Sequence, residues 1–531
     1  MTRTSTAIGV RSASAAAALM LAATMFLPKA EAAALTQKSV MDALPKLEAL
    51  ANKLVERKSG PGESGSDKSV PGLSVAVVFQ NKLVYLKGFG LREIGKPERV
   101  DADTVFQLAS LSKPITSTIV AAMIGKDIAS WDAKIADLDP GFRLADPYPT
   151  SELTLTDLFA HRSGLPGDAG NELEAIGYDR AEILRRLRFV PPASSFRAGY
   201  SYSNFGFTEG GAAAARAVGK PWEEVAEDKL FKPLGMTSTS ARYADFVNRS
   251  NRAALHILDG GQWRAAVKRR PDAQAPAGGV SSTARDLAKW MLLELDYANG
   301  RAAAIPINPE AIARTHAPLI DRGKNPVTGA ASFYGLGWNA EFGARGPEWG
   351  HAAAFSAGAR TLVKLSPGAD LGIVVLANAF PTGAPEGLAD SFFDLVFDGR
   401  VGEDWFSKWN RLFASMFDQG AAAGAVYEKA ASPQSQALPF SAYAGRYAND
   451  FIGEAVVLEE GGGLVLRLGP SLDASFPLTH FDRDSFFFRP AKDTPNLSGA
   501  AFEIGPDQKA GQMTIGDFNG FGMGVLKRTA K

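Results

Sequence analysis

Phe106-Gln107-Leu108-Ala109-Ser110-Leu111-Ser112-Lys113-Pro114 is the stretch on which the reading of this chain turns. An apolar run ends at Ala109, a serine follows, and from Pro114 onward Ile115, Ile119, Val120, Met123 and Ile124 recur at helical spacing until Gly125. Proline is tolerated in that first turn, because the first N–H groups of a helix have no intrahelical partner. Ser110 therefore stands at a helix start, in positive potential that favours a developing alkoxide. Lys113 lies three residues on, on the same face, and a buried lysine near other positive groups can lose its proton and act as a base. Ser112 has no lysine at that offset and is expected to point away. A Ser-x-x-Lys alone is weak, since a chain of 531 residues holds about one by chance at ordinary residue usage.

Two further signals follow in order. Tyr202-Ser203-Asn204 sits between Gly199 and Gly206, after Pro191-Pro192, and is expected to be a loop presenting a phenol and an amide. Gly350-His351 comes just ahead of a predicted hairpin, Thr361 to Leu365 and Leu371 to Leu376 around Ser366-Pro367-Gly368. His351 is one of five histidines, with His161, His256, His316 and His480, and no pair has zinc-ligand spacing. No metal is expected.

Around these signals the patterns predict helices at Val40 to Leu54, from Thr283 through Leu287, Trp290 and Met291, at Leu388 to Val396 and at Trp405 to Met416. Leu73 to Phe79 and Leu83 to Phe89 read as a hairpin, and Ser59 to Gly65 as a mobile loop. Strands at both ends with helices between predict an α+β fold whose one antiparallel sheet is assembled from the two ends of the domain. Past a Ser/Pro/Gln/Ala linker at 430–438, the runs Tyr443 to Tyr447, Glu454 to Leu458, Gly463 to Leu468, Ser485 to Arg489 and Gly524 to Arg528 predict a small all-β sandwich or barrel at 439–531.

The N-terminus reads as a signal peptide over 1–32. Arg3 and Arg11 precede an apolar run from Ala15 to Leu27, too short to span a bilayer, and Ala30-Glu31-Ala32 has the small-x-small form of a cleavage site. A periplasmic or secreted protein without a stable membrane anchor is expected. The chain has no cysteine, which removes disulfides, thiolate metal sites and a cysteine nucleophile. Lysine plus arginine and aspartate plus glutamate number 57 each; without residues 1–32 they are 54 and 56, no footprint for nucleic acid.

Together these residues resemble the serine β-lactamase and penicillin-binding-protein superfamily, in its class C-like branch with esterases and D-amino-acid peptidases. The likeness covers roughly 70–400 and extends to Asp157-Leu158-Phe159-Ala160-His161-Arg162-Ser163-Gly164-Leu165-Pro166, Pro233-Leu234-Gly235-Met236 and Val280-Ser281-Ser282-Thr283-Ala284-Arg285-Asp286-Leu287. The resemblance implies a serine hydrolase domain at 33–429, an acyl-enzyme on Ser110, general acid and base work shared by Lys113 and Tyr202, and a substrate amide or ester held by Asn204. It places His351 where the family's Lys-Thr-Gly strand motif has lysine, and makes the N–H groups of Ser110 and Ala354 the oxyanion hole. No cofactor is implied. The departure is Ala353, where the family has glycine; its methyl group narrows the cleft. That counts against peptide-like substrates and β-lactams, and with His351 it favours ester or small amide hydrolysis. The tail resembles the lipocalin-like appendages of this branch.

Two rival readings differ from this one. Ala354-Phe355-Ser356-Ala357-Gly358 approaches an α/β-hydrolase elbow, but strand-like runs follow where a helix is needed, and the only later histidine, His480, lies in the β-rich tail. A penicillin-binding or peptidoglycan-sensing protein with slow turnover would use the same groups.

Overall fold

The computed structural model describes residues 35–56, 69–265, 267–422, 424–429, 433–490 and 496–530. The expected signal peptide at 1–32, the expected loop Ser59–Gly65 and residues 430–432 of the expected linker lie outside the described residues.

Strands β1 (Gly72–Phe79) and β2 (Lys82–Gly90) form the predicted hairpin, with Gln80 and Asn81 at φ 46° and 59° in the turn. The two residues match the left-handed geometry that a tight hairpin needs. The sheet is completed from the far end of the domain by β3 (Ile320–Lys324), β4 (Ala331–Tyr334), β5 (Asn339–Gly343), β6 (Gly346–Phe355), β7 (Ala359–Ser366) and β8 (Leu371–Ala377). Its order is β2-β1-β8-β7-β6-β5-β4-β3, antiparallel throughout, so the two ends of the domain meet where β1 pairs with β8. β1 is buried at every position because both its faces are covered. Leu73, Val75, Val77 and Phe79 pack with helices α1 (Gln37–Glu56) and, late in the chain, Ala384–Phe397, while Ala76 and Val78 face the main helical layer. A strand covered on both sides loses the alternation of a half-exposed one and reads as a continuous apolar run. Each such aliphatic side chain contributes about 1.5–3 kcal/mol on burial.

The helical layer is built from α2 (Ser112–Ala121), α3 (Asn204–Ala217) and α4 (Ala284–Ala298), with shorter turns between. Thr283 caps α4 by accepting the Asp286 N–H at 3.1 Å. Helices α5 (Ala384–Phe397) and α6 (Trp405–Ala422) follow the sheet. Among the described residues no helix is long and apolar enough to cross a membrane.

The C-terminal strands, from Gly445–Asn449 to Val525–Arg528, close into an eight-stranded antiparallel barrel. Tyr443, Tyr447, Phe486, Phe502, Met513 and Leu526 are buried there, so side chains fill it. The barrel docks on the segment that precedes α3. The Tyr178 hydroxyl donates to the Ile452 carbonyl at 2.8 Å and Arg186 Nη1 to that of Phe451 at 2.6 Å. Gly469 lies so close that a Cβ there would stand 2.2 Å from the Ile176 carbonyl oxygen.

Candidate active site

Phe106–Gln107 pairs as a short strand with Ser281–Ser282, and the Leu108 N–H donates to the Val280 carbonyl at 2.9 Å. The chain then turns sharply: Ala109 takes φ 51°, a conformation that costs a non-glycine residue of order 1 kcal/mol and that surrounding contacts must enforce. Thr361 on β7 donates to the Leu108 carbonyl at 2.7 Å, and Ser112 donates to the Ala109 carbonyl at 2.7 Å while accepting the Val280 N–H at 2.9 Å. Ser112 is thus consumed in holding the turn, and Ser110 is left at its apex.

Lys113 is completely buried, and its Nζ makes three contacts: Asn204 Oδ1 at 2.7 Å, the Ala277 carbonyl at 3.1 Å and Ser110 Oγ at 3.1 Å. Among the described residues no carboxylate pairs with it. Burial lowers its pKa well below the ordinary lysine value. The cause is desolvation, not the neighbouring positive charge that the sequence suggested. A neutral amine has two protons and one lone pair. Asn204 Oδ1 and the Ala277 carbonyl can only accept, so they take the two protons, and the lone pair is left for the Ser110 hydroxyl.

Tyr202 stands on the other side of the serine. Its hydroxyl is hydrogen-bonded to Ser110, and Lys113 Nζ lies 4.5 Å from its ring centre. Burial pushes the phenol above its usual range, so it rests protonated. Asn204 is not in a loop as its flanking glycines suggested. It opens α3, a helix whose cap is Ser203, accepting the Gly206 N–H at 3.1 Å. The helix start fixes the amide against Lys113 more firmly than a loop would, and Asn204 Nδ2 reaches Asn171 Oδ1 at 3.4 Å.

His351 is buried on β6, and its Nδ1 faces the Gly337 carbonyl at 3.0 Å. A carbonyl only accepts, so Nδ1 carries the proton and Nε2 is bare. Burial holds the imidazole well below its usual pKa, so it is neutral. Ala353 is buried in the main core cluster together with Phe355, two residues along the same strand face as His351. β5 pairs with β6 only as far as Gly350, so residues 351–355, Ala354 included, have β7 alone as partner strand. This stretch of β6 packs against the Ala109–Leu111 turn.

The structure adds residues that the sequence reading did not single out for the site. Gly337 is a meeting point: at φ 82°, a Cβ on it would lie 2.3 Å from Ser117 Oγ and 2.9 Å from the Lys113 carbonyl. The two glycines of Tyr334-Gly335-Leu336-Gly337-Trp338, just ahead of β5, are the signal that was available. His161, Tyr200 and Tyr334 complete an aromatic box about Tyr202, with ring centres of His161 and Tyr202 4.4 Å apart and of Tyr334 and His351 6.1 Å apart. His161 Nδ1 accepts the Ser203 N–H at 3.1 Å, and Asp157 lies four residues before it. Burial pushes the Asp157 carboxyl up, but hydrogen bonds from Arg197 and Thr154 outweigh it and leave the group below its usual range. Among the described residues no group of three or more His, Cys, Asp or Glu side chains is arranged to hold a metal ion.

Comparison with known proteins places this geometry. The profile of the family described as Beta-lactamase matches residues 47–392, and one described as a domain of unknown function, DUF3471, matches 429–522. The chain is 26% identical over 401 residues to "Unguisins hydrolase ungD'" of Aspergillus campestris, covering 71% of this chain and 72% of that protein. It is 25% identical to the "D-alanyl-D-alanine-carboxypeptidase/endopeptidase AmpH" of Escherichia coli, over 61% of this chain and 84% of that one. "Esterase EstB" of Burkholderia gladioli is 30% identical over 187 residues, 32% and 47% of the two chains. Among solved structures, the octameric penicillin-binding protein homologue from Pyrococcus abyssi superimposes with a TM-score of 0.56 at 18% identity, over 91% of this chain and 99% of that one, a likeness of fold. With its sheet, its serine turn and two-thirds of its length matched in this way, the chain belongs to the beta-lactamase family.

Proposed function

We propose that this chain is an exported serine hydrolase that cleaves esters, small amides or peptides through an acyl-enzyme on Ser110. The observation that carries the reading is the buried Lys113 amine, 3.1 Å from Ser110 Oγ and with its pKa pulled well below the ordinary lysine value by desolvation. In the first step Lys113 takes the hydroxyl proton as Ser110 Oγ bonds to the substrate carbonyl carbon. The Tyr202 hydroxyl, which rests protonated beside Ser110, gives its proton to the leaving group as the carbonyl re-forms. Water then attacks the ester, losing its proton to the Tyr202 phenolate, or to Lys113 once Lys113 has passed the serine's proton to Tyr202, and in either case the Lys113 ammonium protonates Ser110 Oγ as the acid leaves. The N–H groups of Ser110 and Ala354 take the developing oxyanion; such a donor is worth ~3 kcal/mol of barrier. Asn204 holds both Lys113 and the substrate amide or ester. The relatives support this range of substrates, since they are named as a hydrolase, a carboxypeptidase/endopeptidase and an esterase.

Intact-protein mass spectrometry with a fluorophosphonate and, separately, benzylpenicillin tests the reading. A phosphonyl adduct that disappears in Ser110→Ala is expected. A stable penicilloyl adduct without turnover would shift the reading to a slow penicillin-binding protein, which the likeness to "Penicillin-binding protein 4" of Amycolatopsis lactamdurans, 27% identical, keeps in view. A folded sample that takes neither label would overturn the mechanism.

A further inference from the structure

Ser110 and Lys113 belong to a turn and a helix, whereas Tyr202 lies in the link ahead of α3, outside any helix or strand. A phenol that must deliver its proton along one line needs that link held. Two peptide groups of the link end on a single residue. The Ser201 N–H donates to the His161 carbonyl at 2.8 Å, and the Ser203 N–H donates to His161 Nδ1 at 3.1 Å. Tyr202 is thus bracketed, and its ring lies against the imidazole with centres 4.4 Å apart. Gly167 closes on the same peptide: a Cβ there would stand 2.9 Å from the Tyr202 carbonyl oxygen.

The backbone at His161 is strained to make this bracket. The short helix Leu155–Phe159 ends in a Schellman turn, with the His161 N–H on the Leu158 carbonyl at 3.2 Å and the Arg162 N–H on that of Asp157 at 2.9 Å. His161 takes the left-handed position of that turn, at φ 54°, where glycine is the usual residue. A glycine would end the helix without strain but has no side chain to offer Ser203. The imidazole is buried, and burial holds its pKa well below the usual range, so it is neutral. Only a neutral ring accepts at Nδ1, and its proton is then on Nε2. A role in packing alone would account for the burial and for the ring contacts with Phe207 and Tyr334. It would not account for a strained residue that carries one acceptor to each side of Tyr202.

We propose that His161 is a positioning residue for Tyr202, holding the peptide on either side of the phenol so that its hydroxyl meets Ser110. The inference rests on the serine-hydrolase reading above and adds a residue to its machinery. Without the bracket, Lys113 keeps its own contacts with Asn204 and the Ala277 carbonyl and remains the base of the first step. What is lost is delivery of the proton to the leaving group.

Two esters with one acyl group and different leaving groups test this. Para-nitrophenyl butyrate releases a stable anion, whereas ethyl butyrate needs a proton on its departing alcohol. His161→Gly, which relieves the backbone and removes the ring, should lower kcat/KM about 100-fold for ethyl butyrate and only about threefold for the nitrophenyl ester. His161→Asn tolerates the left-handed backbone and sets an amide oxygen where Nδ1 stands, so it should keep the ethyl ester within about fivefold of the parent. Should His161→Gly not fold, His161→Phe, which keeps a ring and loses the acceptor, takes its place in the comparison. Equal losses on the two esters, no loss on either, or His161→Asn as impaired as His161→Gly would overturn the inference. Crystal structures of the parent and His161→Gly chains read the bracket without turnover. A Tyr202 hydroxyl displaced from Ser110 is expected, and an unmoved one counts against His161. That displacement in a chain that hydrolyses neither ester would instead sink the hydrolase reading alone.

Discussion

Lys113 and Lys364 are both withdrawn from water, on opposite sides of the same sheet, and their pKa values are pushed in opposite directions. Lys364 on β7 sits between Glu348 and Asp390, each at 2.8 Å, and despite the desolvation that lowers it, those carboxylates raise its pKa above the ordinary value. Lys113 on α2 has an amide oxygen, a carbonyl and a hydroxyl instead, and burial lowers it. Burial alone therefore says little about a lysine. What decides is whether the groups that replace water carry negative charge, because dipoles compensate a buried ammonium far less than a carboxylate does. One lysine is a structural cation, and the other has the electronic state a base requires.

Replacing each lysine by methionine separates the two roles most sharply. Lys364→Met strands Glu348 and Asp390 without their cation and should destabilise the fold by about 3 kcal/mol, measured by urea unfolding. Lys113→Met removes no paired charge, so its stability should hold or rise, while kcat/KM falls by about 10³-fold. Equal stability losses would mean that the two sites are electrostatically alike.

A smaller change converts one site toward the other. Asn204→Asp puts a carboxylate beside Lys113, raises its pKa and keeps it protonated at neutral pH. Activity should drop by about 100-fold at pH 7 and recover as pH rises, displacing the acid limb of the kcat/KM profile upward. A profile that merely scales down, with no displacement, would show that Lys113 is not the titrating base.

The smallest effect is in stability against pH. Because Lys113 is depressed in the folded chain, the unfolded chain binds its proton more readily between that depressed value and the ordinary lysine value of ~10.4. Stability should therefore rise with pH across this window, by at most about 1.4 kcal/mol per unit for one group, and the rise should vanish in Lys113→Met. Lys364 has the opposite sign. Its contribution is full below ~10.4 and is lost only as pH climbs beyond it. Thermal unfolding of both variants beside the parent chain, from neutral pH upward, reads the two slopes.

Much of the architecture was legible because it is written in local patterns. The apolar run of β1 marked one strand of a hairpin, and Thr283 with Asp286 marked the start of α4. The meeting of the chain's two ends in one sheet followed from strands at both ends with helices between. In the barrel, five runs were read where eight strands exist. Ala474–Asp482, Ser498–Ile504 and Ala510–Ile515 escaped because charged, glycine and proline residues interrupt their apolar positions. Asn204 was placed in a loop because its glycines were weighed and the Ser203 cap was not. Gly337 and Asn171 went unnoticed since neither residue type signals chemistry away from its partners.

The sequence by itself determined that Ser110 and Lys113 share one helix face, since a three-residue offset is set by backbone geometry. It also marked Tyr202, Asn204 and His351 as a group through a recognisable order of motifs. Only the tertiary structure decided what state these groups are in. The pKa of Lys113 is depressed because Ala277, 164 residues away, and α3 exclude water without bringing a carboxylate. His351 presents a bare Nε2 because a turn at Gly337 supplies a carbonyl to its other nitrogen. Spacing along the chain fixes neighbours within a turn of helix, whereas pKa and tautomer depend on solvent exclusion by segments that meet only when the chain folds.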